Sequence, residues 1–285
     1  MEGNVITSIQ NARIKHVVAL QQKSSLRREE GLFVVEGQRE IEHCIACGYE
    51  VVEFFSRKET LSPRPLATEG TQEGERRKKI TPATFLVTPQ VYEKMAYRGS
   101  TEGTIAVVKS RDHSLSSFLL SPSSFLEKGN PLVVVLEGVE KPGNLGAILR
   151  TAEAAHVDAV IVCDPLTDLY NPNLIRASIG GVFCVPVATC TSEECIAFLK
   201  EHHISILTAQ LQDSHEYYDY DMTHAVAIVM GTESTGLTQK WRDAADAHIR
   251  IPMLGRLDSL NVSVSAAILM YEAVRQRKVK VNSEK

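Results

Sequence analysis

Three segments in the second half of the chain join polar side chains to glycine-rich turns. The first runs from Leu136 to Arg150 and reads LEGVEKPGNLGAILR. A strand ending at Leu136 enters a turn of Gly and Pro. Asn144 then stands where a helix cap belongs, ahead of Leu145, Ile148, Leu149 and Ala152 at helical spacing. A helix start beside a flexible turn offers backbone N–H groups to a phosphate or ribose-phosphate. Arg150, six residues after Asn144, adds a cation that is never lost near neutral pH. As plain structure, the same residues read as a cap and a solvated arginine. The second segment, Ile228 to Leu237, reads IVMGTESTGL, a buried strand running into two glycines that flank Glu233. Glycine lets a ligand approach the backbone, and the C-terminal edge of a parallel sheet is where ligands bind. The third, Ile251 to Ala267, reads IPMLGRLDSLNVSVSAA and leads into a helix that Ser263 can cap, with Val264, Ile268 and Tyr271 on one face. Ser259 and Asn261 fall just before it. Taken singly, the last two segments are equally readable as ordinary strand-to-helix turns.

The elements that must carry these segments are nearly continuous apolar runs at Leu132–Leu136, Ala159–Val162, Ile204–Ala209, Ala225–Met230 and His248–Ile251, with helices between them. Runs of Val, Ile, Leu and Ala without alternation predict a parallel sheet buried on both faces. The first region also alternates helix and strand. Asn11–Gln22 is a helix with a stripe of Ile14, Val17, Val18 and Leu20, and Leu32–Glu36 a strand. Arg39–Cys47 is a helix stopped by Gly48, and Val51–Phe55 a second strand. Thr84–Thr88, Pro89–Ala96 and Gly103–Lys109 complete a strand–helix–strand. Thr60–Lys79, with two prolines, two glycines and a charge run from Glu75 to Lys79, is expected to be a mobile loop. The serine-rich Ser110–Asn130 is the expected linker, with apolar residues enough for a short amphipathic helix.

Composition bounds the rest. At 285 residues, 44% hydrophobic and 23% charged, the chain suits two modest globular domains. No apolar run approaches the ~20 residues of a membrane span. Met1-Glu2-Gly3-Asn4 is not the start of a secretion signal, so a cytoplasmic location is expected. The net charge of −4 does not by itself mark a nucleic-acid binder. Residues 1–130 hold 18 Lys/Arg against 16 Asp/Glu, and the remainder 13 against 19, so phosphate contacts are expected in the N-terminal part. Of six cysteines, Cys44 and Cys47 form a C-x-x-C on a helix. With no second pair at zinc-ligand spacing they read as packed thiols rather than a metal site. The spacing Gly138, Gly143, Gly146 is not the dinucleotide fingerprint, and no phosphate-binding G-x-x-x-x-G-K-[ST] occurs, which weighs against a nucleotide-dependent oxidoreductase.

In order and spacing, the three segments closely resemble the three motifs of the SpoU (TrmH-like) RNA 2′-O-ribose methyltransferases. They match as N-x-G-x-x-x-R, M-G-x-E-x-x-G-L and I-P-M-x-G-x-x-x-S-L-N-V-S followed by a helix, across roughly residues 131–277. The resemblance implies a SPOUT fold, an α/β domain with a parallel sheet and a trefoil knot, dimeric and needing no metal. It implies S-adenosyl-L-methionine (AdoMet) held by Gly231, Ile251 and Leu260, and a methyl-transfer site lined by Asn144, Arg150, Glu233, Ser259 and Asn261. Val5–Lys15, Phe33–Glu40 and Gly103–Val107 are similar to the small α/β RNA-binding domain of the rRNA-modifying members. The implied organisation is a substrate domain over 1–109, a linker over 110–130 and a methyltransferase domain over 131–285. The implied substrate is 23S rRNA, with tRNA as the alternative; a catalytically silent RNA-binding member is a third reading, against which Asn144, Arg150, Glu233 and Asn261 all stand intact.

Overall fold

A computed structural model describes residues 5–57, 82–97, 103–119 and 129–283. The expected loop at 60–79 and the middle of the serine-rich stretch lie outside them. The chain forms two compact units, Met1–Arg111 with Leu169–Cys184, and Asp112–Asp168 with Val185–Lys285.

The first unit is built on β1 (Val5–Ile6), α1 (Ala12–Gln22), α2 (Ser24–Glu30), β2 (Leu32–Glu36), α3 (Gln38–Ala46), β3 (Val51–Arg57), β4 (Ala83–Val87), α4 (Pro89–Met95) and β5 (Thr104–Lys109). Its sheet runs β1-β4-β3-β5-β2, with β5 antiparallel to both neighbours and the other pairs parallel. Asn11 starts α1 by accepting from the Arg13 amide at 2.9 Å. Ile14, Val17 and Leu20 then pack onto Phe55, Val87, Val91, Met95 and Ile105. Residues 169–184 belong to this core, although the apolar pattern places them inside the second region. Tyr170 stacks on Phe33 with ring centroids 4.0 Å apart, and Phe183 meets Tyr49 edge-on at 5.1 Å.

The second unit follows as α5 (Leu115–Leu119), β6 (Leu132–Glu137), α6 (Pro142–Ala154), β7 (Ala159–Cys163), the two helices α7 (Pro172–Ala177) and α8 (Gly181–Cys184) that pack in the first unit, then β8 (Val187–Cys190), α9 (Ser192–Glu201), β9 (Ser205–Ala209) and β10 (His215–Glu216). It closes with β11 (Val226–Met230), α10 (Gln239–Ala244), β12 (Ala247–Arg250) and α11 (Val262–Ser283). Seven strands form one all-parallel sheet in the order β10-β12-β9-β11-β6-β7-β8. Every residue of β6, β7 and β11 is buried, as unbroken apolar runs require. Strand β8 does not stand out in the sequence, because its VATC is only four residues long and directly follows Pro186.

Helix α11 packs against α6 and β11. Arg277 ties it down, donating to the carbonyls of Asn130 at 2.6 Å, Pro131 at 3.3 Å, Met222 at 3.0 Å and His224 at 2.7 Å. These carbonyls lie just before β6 and just before β11, so one guanidinium binds the starts of two adjacent central strands. Among the described residues no helix is long and apolar enough to cross a membrane.

Candidate active site

The three motifs meet at the C-terminal edge of the parallel sheet, after β6, β11 and β12. Glu137, the last residue of β6 and only 6% exposed, fixes the surroundings. Its carboxylate accepts from the Thr238 amide at 2.9 Å, the Thr238 hydroxyl at 2.7 Å and the Ser192 hydroxyl at 3.4 Å. A buried carboxylate with several donors is a rigid pin. It joins the end of β6 to the residues that begin α9 and precede α10. Gly138 follows in the left-handed region at φ 62°, where a Cβ would lie 3.1 Å from the Thr232 methyl, so the turn after β6 can pass beneath the loop after β11.

That loop is closed on itself. The Thr232 and Gly236 amides and carbonyls pair at 3.3 and 3.1 Å, and the Thr235 amide donates to the Thr232 hydroxyl at 3.0 Å. Glu233 therefore projects from a hairpin with little freedom. Gly231, just before it, has no room for a side chain: an ideal Cβ would lie 2.5 Å from the Leu237 nitrogen and closer still to the Gly236 carbonyl group.

Glu233 is the hub of the site. One oxygen accepts from the Asn144 side-chain amide and from the Asn261 side-chain amide, both at 2.8 Å. The other pairs with the Lys141 ammonium. The Asn261 amide also reaches the Asn144 carbonyl oxygen at 3.2 Å, while its own carbonyl oxygen accepts from the Ser263 amide at 3.0 Å and the Ser263 hydroxyl at 2.6 Å. Lys141, then Asn144, hold the Glu233 carboxyl below the ordinary value of 4.5. A carboxylate that stays ionised is an acceptor only, and its two asparagine partners are thereby forced to face it with their nitrogens.

These contacts revise two expectations. Asn144 does not cap α6; Lys141 occupies the cap position, and Asn144, one turn in, sends its amide to Glu233. Ser263 does not cap α11; Asn261 receives the Ser263 amide instead, because its carbonyl oxygen is free for it once its nitrogen is spent on Glu233. Lys141 was not singled out from the sequence, although the KPGN run that places it was. The structure unites Asn144, Glu233 and Asn261. Arg150 is exposed two turns along α6, with no polar partner among the described residues. Ser259 is exposed and, among the described residues, its hydroxyl donates only to Asp258, at 3.3 Å. Of the residues expected to hold a cofactor, Gly231 and Ile251 stand immediately after the ends of β11 and β12, the two strands that flank β9, and Leu260 is 39% exposed. Between them, just after β9, the side-chain oxygen of Gln210 is buried with no partner among the described residues.

The chain matches the SpoU rRNA Methylase family over residues 131–271 and an MRM3-like substrate binding domain over residues 11–106. A 23S rRNA (guanosine-2′-O-)-methyltransferase of Vibrio vulnificus is 35% identical over 196 residues, 67% of this chain and 77% of the relative. A putative TrmH family tRNA/rRNA methyltransferase of Staphylococcus haemolyticus is 39% identical over 152 residues, 53% of this chain and 61% of the relative. The chain thus covers less than two thirds of that relative's length. Among solved structures, an RNA 2′-O ribose methyltransferase is 35% identical, with a TM-score of 0.79 over 96% of this chain and 99% of that one. An AdoMet-bound rRNA methyltransferase from Sinorhizobium meliloti is 26% identical, with a TM-score of 0.81 over 95% and 97%. The fold is that of the SpoU methyltransferases, carrying an N-terminal substrate-binding domain. The chain belongs to the SpoU family of RNA methyltransferases.

Proposed function

We propose that this protein transfers the methyl group of AdoMet to a ribose 2′-hydroxyl of 23S rRNA. The observation that carries the reading is the Asn144–Glu233–Asn261 cluster, drawn from three separated motifs to one strand edge. The residues present fit AdoMet: among the described residues the buried Gln210 side-chain oxygen has no partner, and it follows β9 between the ends of β11 and β12, after which Gly231 and Ile251 stand. Gly231, Ile251, Leu260 and Gln210 would hold it, in the knot that the family resemblance implies. AdoMet supplies an electrophilic methyl group on a good leaving group, so positioning carries much of the acceleration.

The chain's own residues orient the acceptor. Glu233, held below its ordinary pKa, is too weak a base to be poised for a hydroxyl proton near neutral pH. Its role is to lock the two asparagine amides and Lys141 around the ribose. Arg150 is likewise a poor base and is suited to binding phosphate and the developing alkoxide. It cannot do so beside Glu233 of its own chain, six residues on from Asn144 and facing another side of α6. A homodimer with the site near its interface would bring it there from a second copy, and the exposed Leu254, Leu257, Val264 and Tyr271 supply apolar surface for such a contact. The N-terminal unit would supply RNA affinity, and the cytoplasm is where that RNA resides.

The test is mapping of ribose 2′-O-methylation in rRNA and tRNA from a deletion strain, with methylation of the affected RNA by purified protein. Loss of a single 23S rRNA methylation, restored by the wild-type chain, is the expected result. A lost tRNA methylation would move the substrate. No lost methylation, together with no turnover, would leave a silent RNA binder.

A further inference from the structure

Three cysteines from separate elements meet in the second unit, at the same sheet edge as the site, beyond Glu137. Cys163 ends β7, Cys190 ends β8, and Cys195 stands in the first turn of α9. Cys163 and Cys190 are paired in register on neighbouring parallel strands, and α9 lays Cys195 over them. The three Sγ atoms lie within 4.8 Å of one another. Cys163 and Cys195 are buried and Cys190 half-buried, so the group has a closed side and an open one.

Metal–thiolate bonds of about 2.3 Å set sulfur atoms about 3.8 Å apart in a tetrahedral site and about 4.0 Å apart in a trigonal one. The observed spacing needs only small rotamer changes to reach either. Soft thiolates select soft, d10 cations. Three thiolates, with no carboxylate or imidazole joining the group among the described residues, match a trigonal site better than a closed tetrahedral one.

We propose that Cys163, Cys190 and Cys195 form a binding site for a thiophilic d10 cation, best matched by Cu(I), with Zn(II) bound by adding a water on the Cys190 side. Binding replaces three S–H protons by one metal ion, with no redox step. The site includes none of the Asn144–Glu233–Asn261 cluster, and its occupancy braces β7, β8 and α9 beside the Glu137 end of β6.

The test uses the full chain, reduced, stripped with chelator and kept anaerobic, titrated with Cu(I) as its acetonitrile complex and separately with Zn(II). Expected are one equivalent of Cu(I) retained through gel filtration, a thiolate-to-copper absorption band, and three sulfur neighbours at about 2.3 Å by X-ray absorption. Cys190→Ser, at the half-buried position, should lower affinity by roughly 100-fold or more, since losing a ligand exceeds the loss of an outer-shell partner. The Cys47→Ser/Cys184→Ser double variant, whose sulfurs lie 3.2 Å apart in the first unit, should bind as wild type. No retained metal, fewer than three sulfur neighbours in the wild-type protein, or binding abolished by the Cys47/Cys184 double variant would each overturn the proposal. The sulfur count needs no variant and stands even if Cys190→Ser fails to fold.

Discussion

Replacing Gly231 by alanine puts one methyl group where the structure has none to spare. Its Cβ would lie 2.5 Å from the Leu237 nitrogen and closer to the Gly236 carbonyl group, where ordinary van der Waals contact begins near 3.4 Å. All three obstructing atoms are backbone, so no side chain can swing aside. The Thr232–Gly236 hairpin must retreat by about 1 Å, and because it is closed by its own hydrogen bonds it carries Glu233 with it. Both 2.8 Å contacts from Asn144 and Asn261 would then fall outside hydrogen-bond range. A displacement of that size at a reacting centre costs about 10²-fold in rate. Single-turnover methylation of a validated RNA, with circular dichroism and a thermal melt, measures this. Gly143→Ala is the control, since its Cβ would meet nothing within 4 Å and alanine favours the helix. If Gly231→Ala methylates within a few-fold of wild type, or both variants fall equally, the hairpin does not position the site.

Arg150→Ala should lower turnover about 10²- to 10³-fold while AdoMet affinity, read by calorimetry, stays near wild type; Arg150→Lys should restore little, because a point charge lacks the planar fork. The Glu233 carboxyl has its folded value below 4.5, so its hold on Asn144 and Asn261 is complete above about pH 4.5 and is lost as pH falls through the folded value. NMR of the two side-chain amides should therefore titrate with a midpoint below pH 4.5, and a transition centred above 4.5 would contradict the assignment. Arg277→Met leaves up to four carbonyls without their donor and should destabilise the chain by about 2–3 kcal/mol in urea unfolding. Light scattering of the full chain should give twice the 31.5 kDa chain mass; a clean monomer would leave Arg150 without a site to serve.

Much of this was legible in the residues. Unbroken apolar runs located β6, β7, β9, β11 and most of β12, because strands covered on both faces tolerate little else. The motifs named Asn144, Glu233 and Asn261, and these are the residues that meet. What the sequence could not carry is direction. Asn144 and Ser263 both look like helix caps in the sequence, and only the position of Glu233 decides that neither caps and that Asn261 does. Lys141 was invisible because a lysine in a turn is ordinarily solvated. The cysteine cluster escaped because its members are 27 and 5 residues apart, a spacing that only the pairing of β7 with β8 turns into proximity.

The return of residues 169–184 to the first unit has a practical consequence for anyone cutting this gene. The chain leaves that unit at Arg111, re-enters at Leu169 and leaves again after Cys184. A truncation beginning at residue 112 would keep Tyr170, Leu174, Ile175 and Phe183 while deleting Phe33 and Tyr49, against which the aromatic pair is packed, and would turn a buried core into a sticky patch. The complementary fragment, 1–111, would lack the same aromatic and helical lining. Neither half is a natural expression unit. Domain exchange with relatives must move the 169–184 insert along with the N-terminal part, as one discontinuous module.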